Sequence, residues 1–161
     1  MDRRQIAALL TLKKLGIEPD LTTFSGRLVA QKVLYLVQAA KLDLGYFYSW
    51  YLRGPYSPDV SRDLFPAIDE LKANPNALVG WKLDSSADPV LDQIQTLVPA
   101  RPDEDRSSEL ELLASVHFLV ERRGLAHDPS LLSEEMRKYN KNFTSGEVSS
   151  GLDALRRAHL L

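Results

Sequence analysis

Cysteine is absent from this chain, and so are long hydrophobic runs, a glycine-rich phosphate loop and any cluster of histidines. Without cysteine there is no disulfide, no cysteine-ligated zinc site and no thiol nucleophile, which is compatible with a reducing compartment. No stretch reaches the roughly eighteen apolar residues of a membrane-spanning helix. His117, His127 and His159 are too scattered to predict a metal site. We therefore expect a cytoplasmic protein without a metal or a cofactor.

Catalytic side chains are not predicted, because no pair has the spacing of a nucleophile and its base. His117 lies in the middle of a predicted helix, where histidines are usually packed or solvated. The paired acids Glu109 and Glu111, and likewise Glu134 and Glu135, are typical of a solvated helix face. An enzyme is therefore only the third hypothesis for this chain.

The chain length of 161 residues predicts one domain, residues 1–161. At this size folding buries somewhat more than about two-thirds of the unfolded chain's surface, which is enough for an independent core. Hydrophobic residues make up 44% of the chain and charged residues 26%, as in ordinary globular proteins. The prolines and acids of residues 99–107 predict an exposed linker.

Helical periodicity dominates the sequence, since apolar residues recur at three- and four-residue steps in most segments. The predicted helices cover about residues 3–14, 26–40, 58–72, 89–97, 108–123, 129–139 and 145–159. The N-caps predicted for five of them are Ser25, Ser57, Ser107 or Ser108, Asp128, and Thr144 or Ser145. Pro66 predicts a kink or a break within 58–72. The helix at 26–40 is apolar around most of its circumference, so we expect it to be central.

A short aromatic segment follows that helix. Six of the thirteen aromatic residues lie between Tyr46 and Tyr56. Alternation over Tyr46–Leu52 predicts a strand of about seven residues, which Gly54-Pro55 should end. Residues 77–83 are the predicted second strand. The predicted fold class is mainly α, a compact helical domain of six to seven helices with a small two-stranded β element that has the order of a winged helix.

The strand and the turn after it are the predicted partner-binding surface, because tyrosine, tryptophan and arginine are enriched in interaction hot spots. The face of Tyr46, Tyr48 and Trp50 is expected to pack on the core. Tyr51, Arg53 and Tyr56 are the stronger candidates for recognition. The candidate set is Trp50, Tyr51, Arg53, Tyr56 and Asp59. Asp59 lies in the first turn after Pro58, where a structural cap is favoured over a phosphate site.

A nucleic-acid-binding regulator of winged-helix type is the alternative function, because helices followed by a β-ribbon have that order. The candidate recognition helix at 58–72 argues against it, since it holds four acids and only two basic residues: Asp59, Asp63, Asp69, Glu70, Arg62 and Lys72. Residues 84–111 are also acidic, with eight acids against Arg101 and Arg106, and are a second candidate partner contact.

The pattern of residues 31–36 (QKVLYL), followed by an aromatic segment and residues 51–59 (YLRGPYSPD), resembles the YwgA-like proteins of bacteria and archaea. It is similar, more distantly, to the SocA-like (Panacea) antitoxin domain and to the C-terminal domain of the DarG antitoxins. The matching residues are about 24–65. The resemblance implies a helical domain with a small sheet and, for the antitoxins, neutralisation of a toxin by protein contact.

The DarG arrangement also contains an N-terminal macrodomain, which this chain lacks, so the resemblance implies no ADP-ribosyl hydrolase activity. It supplies no catalytic residue either. The first hypothesis is therefore a non-catalytic protein-binding module, antitoxin-like or associated with defence, that neutralises or regulates a partner protein.

Overall fold

A computed structural model describes residues 1–161 as seven α-helices, one π-helical turn and one antiparallel sheet. The helices are α1 (Arg3–Lys14), α2 (Phe24–Ala39), α3 (Pro58–Ala73), α4 (Ala87–Gln95), α5 (Asp103–His117), α6 (Pro129–Arg137) and α7 (Ser145–Arg157). The strands are β1 (Ser49–Tyr51) and β2 (Gly54–Tyr56), and the π-helical turn (Phe118–Arg122) continues α5. The fold is mainly α with a small β element, as predicted. None of its helices combines the length and the apolar character that crossing a membrane requires.

Helix α2 lies at the centre, as its apolar circumference predicts. Eleven of its sixteen residues are buried. It packs most extensively on α5, and also on α1, α3, α4 and β2. The hydrophobic core is one cluster of 42 buried residues to which all seven helices contribute.

The start of α2 differs from the prediction, because Thr23 and not Ser25 is its N-cap. The Thr23 hydroxyl accepts a hydrogen bond from the Gly26 amide at 3.0 Å. The preceding loop passes close by, so that a Cβ atom on Gly26 would lie 1.9 Å from the Asp20 carbonyl oxygen. Only glycine fits this position.

The other predicted caps have mixed outcomes. Asp128 caps α6 and Thr144 caps α7, which confirms both predictions. Ser57 precedes α3 as predicted, but its side chain makes no capping hydrogen bond.

The predicted linker at 99–107 is wrong in its second half, where α5 begins at Asp103. The acids that suggested an exposed linker form the first turn of the helix, where negative charge stabilises the helix dipole. Arg106 is buried, ion-paired with Asp103 at 2.8 Å and hydrogen-bonded to the Pro99 carbonyl at 3.2 Å. The N-cap predicted at Ser107 or Ser108 is therefore wrong as well.

The predicted pairing of the strands is wrong. β1 pairs with β2, with Ser49 opposite Tyr56 and Tyr51 opposite Gly54, so Gly54-Pro55 belongs to the partner strand and does not end the sheet. Residues 77–80 form turns closed by local hydrogen bonds, for example from the Trp81 amide to the Leu78 carbonyl at 3.1 Å, and residues 81–83 have no regular secondary structure.

Helix α3 is continuous through Pro66, so the predicted break does not occur. Pro66 and Arg62 are both exposed, and the Arg62 carbonyl that loses its helical donor can bond to water. The other side of α3 is fastened to α1 because the Arg4 guanidinium donates to both carboxylate oxygens of Asp63, at 2.6 and 3.1 Å. Asp63, one of the four acids of the candidate recognition helix, is therefore buried.

Gly54 is required at the start of β2 for two separable reasons. Its φ angle is +87°, and a Cβ atom there would lie 2.3 Å from Ser115 Oγ on α5. Gly80 has nearly the same φ, +85°, but no atom lies within 4 Å of its Cβ position. A comparison of alanine substitutions at the two positions therefore distinguishes the cost of backbone strain from the cost of steric overlap.

We expect Gly80→Ala to lower the free energy of unfolding by about 1–2 kcal/mol, the usual cost of a left-handed backbone for a residue with a Cβ atom. Gly54→Ala should cost about 1–3 kcal/mol more because it also overpacks α5. Urea denaturation measures both. The double variant Gly54→Ala/Ser115→Ala should recover part of the excess, and equal losses in the two single variants would contradict the steric explanation.

Candidate functional site

Four side chains of α2 hold the segment that follows it. This anchoring row consists of Gln31, Lys32, Tyr35 and Gln38, and the anchored segment consists of residues 46–57. Gln38 binds both backbone groups of Tyr46: its Oε1 accepts from the amide and its Nε2 donates to the carbonyl, each at 2.9 Å. These bonds occupy the backbone groups that a β ladder would use, which explains why the predicted strand does not begin at Tyr46.

Gln31 repeats this arrangement two helical turns earlier. Its Nε2 donates to the Ser57 carbonyl at 2.8 Å and its Oε1 accepts from the Ser57 amide at 3.1 Å. Between the two glutamines, Lys32 Nζ donates to the Pro55 carbonyl at 2.7 Å. The Tyr35 ring meets the Tyr48 ring edge to face, with centroids 5.2 Å apart. The segment that contains the β1–β2 hairpin is thus held along α2 at its N-terminal end, Tyr46, and at its C-terminal end, Ser57.

A group of charges lies beneath the hairpin turn, in which Glu111, Lys32 and Lys141 are buried and Arg53 is exposed. Glu111 of α5 pairs with Lys141 at 3.0 Å and more loosely with Arg53 at 3.8 Å. Lys141 also donates to the Leu52 carbonyl. Lys32 is buried nearby, so three basic side chains surround a single carboxylate.

Burial lowers the pKa of Lys32 to about 7, because an ammonium group loses its hydration there. The Glu111 carboxylate opposes this shift, whereas the charges of Lys141 and Arg53 add to it. Burial also lowers the pKa of Lys141, although its contact with Glu111 opposes that change. The cluster therefore contains three basic groups and only one carboxylate to balance them.

An open cavity of about 380 Å³ lies where the hairpin turn meets the first turns of α2 and α3. This hairpin cavity is lined by Phe24, Arg27, Leu28, Gln31, Lys32, Tyr51, Leu52, Arg53, Tyr56 and Ser61. Three of its apolar side chains are largely exposed: Phe24 at 54%, Tyr51 at 58% and Leu52 at 68%. Its charged lining residues are all basic.

Three of the five candidate residues meet at this cavity. The rings of Tyr51 and Tyr56 lie against each other with centroids 5.5 Å apart. The Arg53 guanidinium lies over the Phe24 ring at 5.4 Å. Aromatic and guanidinium surfaces therefore line the same cavity.

The other two candidates lie elsewhere. Trp50 is half-buried on the opposite side of the hairpin, packed against Phe118 and Tyr139 with centroids 5.6 and 5.3 Å away. Asp59 pairs with Arg62 at 2.5 Å and does not line the cavity. Neither shares the surface of Tyr51, Arg53 and Tyr56.

A second cavity, of about 690 Å³, lies beside the C-terminal end of α2 and includes Tyr35, Tyr48 and His117 in its lining. The Tyr35 hydroxyl is 2.7 Å from His117 Nδ1. Burial lowers the pKa of His117 to about 4 and raises the pKa of Tyr35 well above its ordinary value. Both groups are therefore neutral near pH 7, and their hydrogen bond joins α2 to α5.

No group of three or more histidine, aspartate or glutamate side chains is arranged to hold a metal ion. Helix α3, the candidate recognition helix, exposes Asp69 and Glu70 together with Arg62 and Lys72. This mixed surface does not favour a phosphate backbone.

Several residues of the site were not predicted from the sequence. Phe24 and Arg27 precede the aromatic segment by about twenty residues, and Glu111 and Lys141 are distant in the chain. Lys32 had a visible signal, because it stands beside Gln31 in the middle of a helix that is apolar on both sides of the pair. A polar pair within a central helix indicates buried partners.

No protein-family model matches this chain, and no curated protein matches it. The resemblance to the YwgA-like proteins therefore stays a hypothesis based on residues 24–65.

Replacing Lys32 with methionine should change the pH dependence of stability. Because its pKa is about 7 in the folded state and 10.5 ordinarily, the unfolded chain binds this proton more tightly, and stability rises with pH across that interval. We expect wild-type unfolding free energy to increase relative to Lys32→Met between about pH 7 and about pH 9.5, below tyrosine ionisation. Urea denaturation measures both proteins.

The exposed Lys82 supplies the control, and Lys82→Met should follow the wild type at every pH. Lys141 and Arg53 are present in all three proteins. Equal pH slopes for the wild type and Lys32→Met would show that Lys32 is not held neutral by burial.

Proposed function

We propose that this protein is a non-catalytic binding module that holds a segment of a partner protein at the hairpin cavity. The observation that carries the proposal is the rim of Phe24, Tyr51, Leu52, Arg53 and Tyr56, which leaves large apolar surfaces exposed around a concave site. Contiguous exposed apolar surface of this kind is typical of interaction sites.

The composition of the rim also supports protein binding. Tyrosine and arginine contribute disproportionately to protein interfaces because they present a large area and lose few rotamers. Here Tyr51 and Tyr56 support each other, and Arg53 is braced by Phe24 and Glu111. Side chains that are already ordered lose less conformational entropy when a partner binds.

We infer further that the module is antitoxin-like or associated with defence, so that its partner is neutralised or regulated by contact. The support for this step is the resemblance of residues 24–65 to the YwgA-like and SocA-like proteins. The absence of cysteine is compatible with the cytoplasm, where we place this encounter.

The first test selects peptides from a random display library on the wild-type protein. We expect Tyr51→Ala/Arg53→Ala/Tyr56→Ala to weaken binding of the selected peptides by tenfold or more, because it removes most of the rim. Phe47→Ala is the matched control, since Phe47 is 74% exposed but does not line the cavity. Fluorescence anisotropy measures the affinities.

A milder variant, Tyr51→Ala/Leu52→Ala, changes only exposed side chains and keeps the test valid if the triple variant unfolds. Circular dichroism establishes which variants are folded. If the folded variants bind the selected peptides as tightly as the wild type does, the partner surface lies elsewhere and the proposal is wrong.

The second test addresses the antitoxin-like step. The product of the neighbouring gene is expressed alone and together with this protein, and growth is recorded. We expect this protein to restore growth that the neighbouring product inhibits, and the triple variant to restore less. Rescue that is equally strong with the folded triple variant would contradict a role for this surface.

A further inference from the structure

The hairpin cavity is positively charged in addition to having an apolar rim. Its lining includes the basic residues Arg27, Lys32 and Arg53 and no acid. The carboxylate that pairs with Arg53, Glu111, does not line the cavity and is already shared by Lys141 and Arg53 at 3.0 and 3.8 Å. The cavity therefore has an excess of positive charge.

Two helix N-termini add to this potential. Phe24 and Arg27 belong to the first turn of α2, and Ser61 belongs to the first turn of α3, so the first turns of both helices reach the cavity. The N-terminus of a helix carries a partial positive charge. Asp59, the one acid in the first turn of α3, is paired with Arg62 outside the lining.

Lys32 has unused donor capacity at this site. A protonated lysine has three N–H donors, and Lys32 makes one hydrogen bond, to the Pro55 carbonyl at 2.7 Å. Its side chain is fully buried and lines the cavity. Arg27 is different, because its guanidinium already bonds to the Leu21 and Thr22 carbonyls at 2.9 and 3.3 Å.

We infer that the hairpin cavity receives an acidic side chain of the partner protein, and that Lys32 and Arg53 bind its carboxylate. The apolar rim takes the residues that flank the acid. This inference rests on the proposed function and specifies the partner segment as one in which an aspartate or glutamate lies beside apolar residues. A carboxylate here supplies the negative charge that Glu111 alone does not.

Binding of the acid is then coupled to uptake of a proton by Lys32. The groups that face Lys32 are Glu111 of α5, Lys141 of the loop after α6, and Arg53 of the hairpin turn. The partner carboxylate favours the charged amine, whose pKa is about 7 before binding. Above that pH each binding event takes up one proton, so affinity falls by up to about tenfold per pH unit.

The test uses a peptide selected on the wild-type protein and a second peptide in which every acid of the first is replaced by its amide. Fluorescence anisotropy gives both affinities on either side of pH 7. Below that pH we expect the acidic peptide to bind at least tenfold more tightly than the amide peptide. This difference in affinity should decrease as the pH rises. The amide peptide should bind weakly with little dependence on pH.

The variant Lys32→Met should abolish the pH dependence and weaken the acidic peptide by tenfold or more, whereas Lys82→Met should bind like the wild type. If acidic and amide peptides bind equally, the inference is wrong and the proposed function stands. If library selection yields no peptide whose binding depends on the rim residues, the proposed function itself is wrong, whatever the role of Lys32. If duplex DNA displaces the acidic peptide from the wild type and this DNA binding is lost in Lys32→Met, the cavity is a phosphate site and the inference is overturned.

Discussion

The structure depends on one physical constraint: the backbone of the aromatic segment must be satisfied by a helix and not by a large sheet. Each β strand has only three residues, which is too short to hold itself in place. Gln31 and Gln38 replace the missing strand, because a side-chain amide offers the same donor and acceptor as a peptide group. These bonds fix the two ends of the segment that contains the hairpin.

The sequence was most informative where one physical effect dominated. Helical periodicity predicted α1, α2, α6 and α7 closely, because their apolar spacing is regular, and for α6 and α7 the local caps pointed the same way. It was least informative for the sheet. Alternation predicted which of Tyr46, Tyr48 and Phe47 are buried, yet Tyr46 is not in a strand. Alternation reports which side of an extended chain is buried, whereas pairing depends on backbone groups that Gln38 had already occupied.

The candidate site was predictable only in part for a related reason. Tyr51, Arg53 and Tyr56 lie within six residues, so their composition identified them. Glu111 and Lys141 reach the same place through tertiary structure, and no local pattern connects them to Arg53. Burying several basic groups around one carboxylate is energetically unfavourable. Such an arrangement is compatible with the proposed ligand, and it is invisible before the helices are packed.

The paired amide bonds of Gln31 and Gln38 have a consequence for how this surface can change. Within residues 46–57 they contact only backbone atoms of Ser57 and Tyr46, so they do not depend on the side chains of the residues between them. The one side chain that shares these bonds is Ser61 of α3, whose hydroxyl accepts from Gln31 at 3.3 Å. Tyr51, Leu52 and Arg53 can therefore be exchanged without altering the bonds that position the hairpin. The fold separates an invariable frame from a replaceable surface, which makes the hairpin a suitable place to graft new binding specificities.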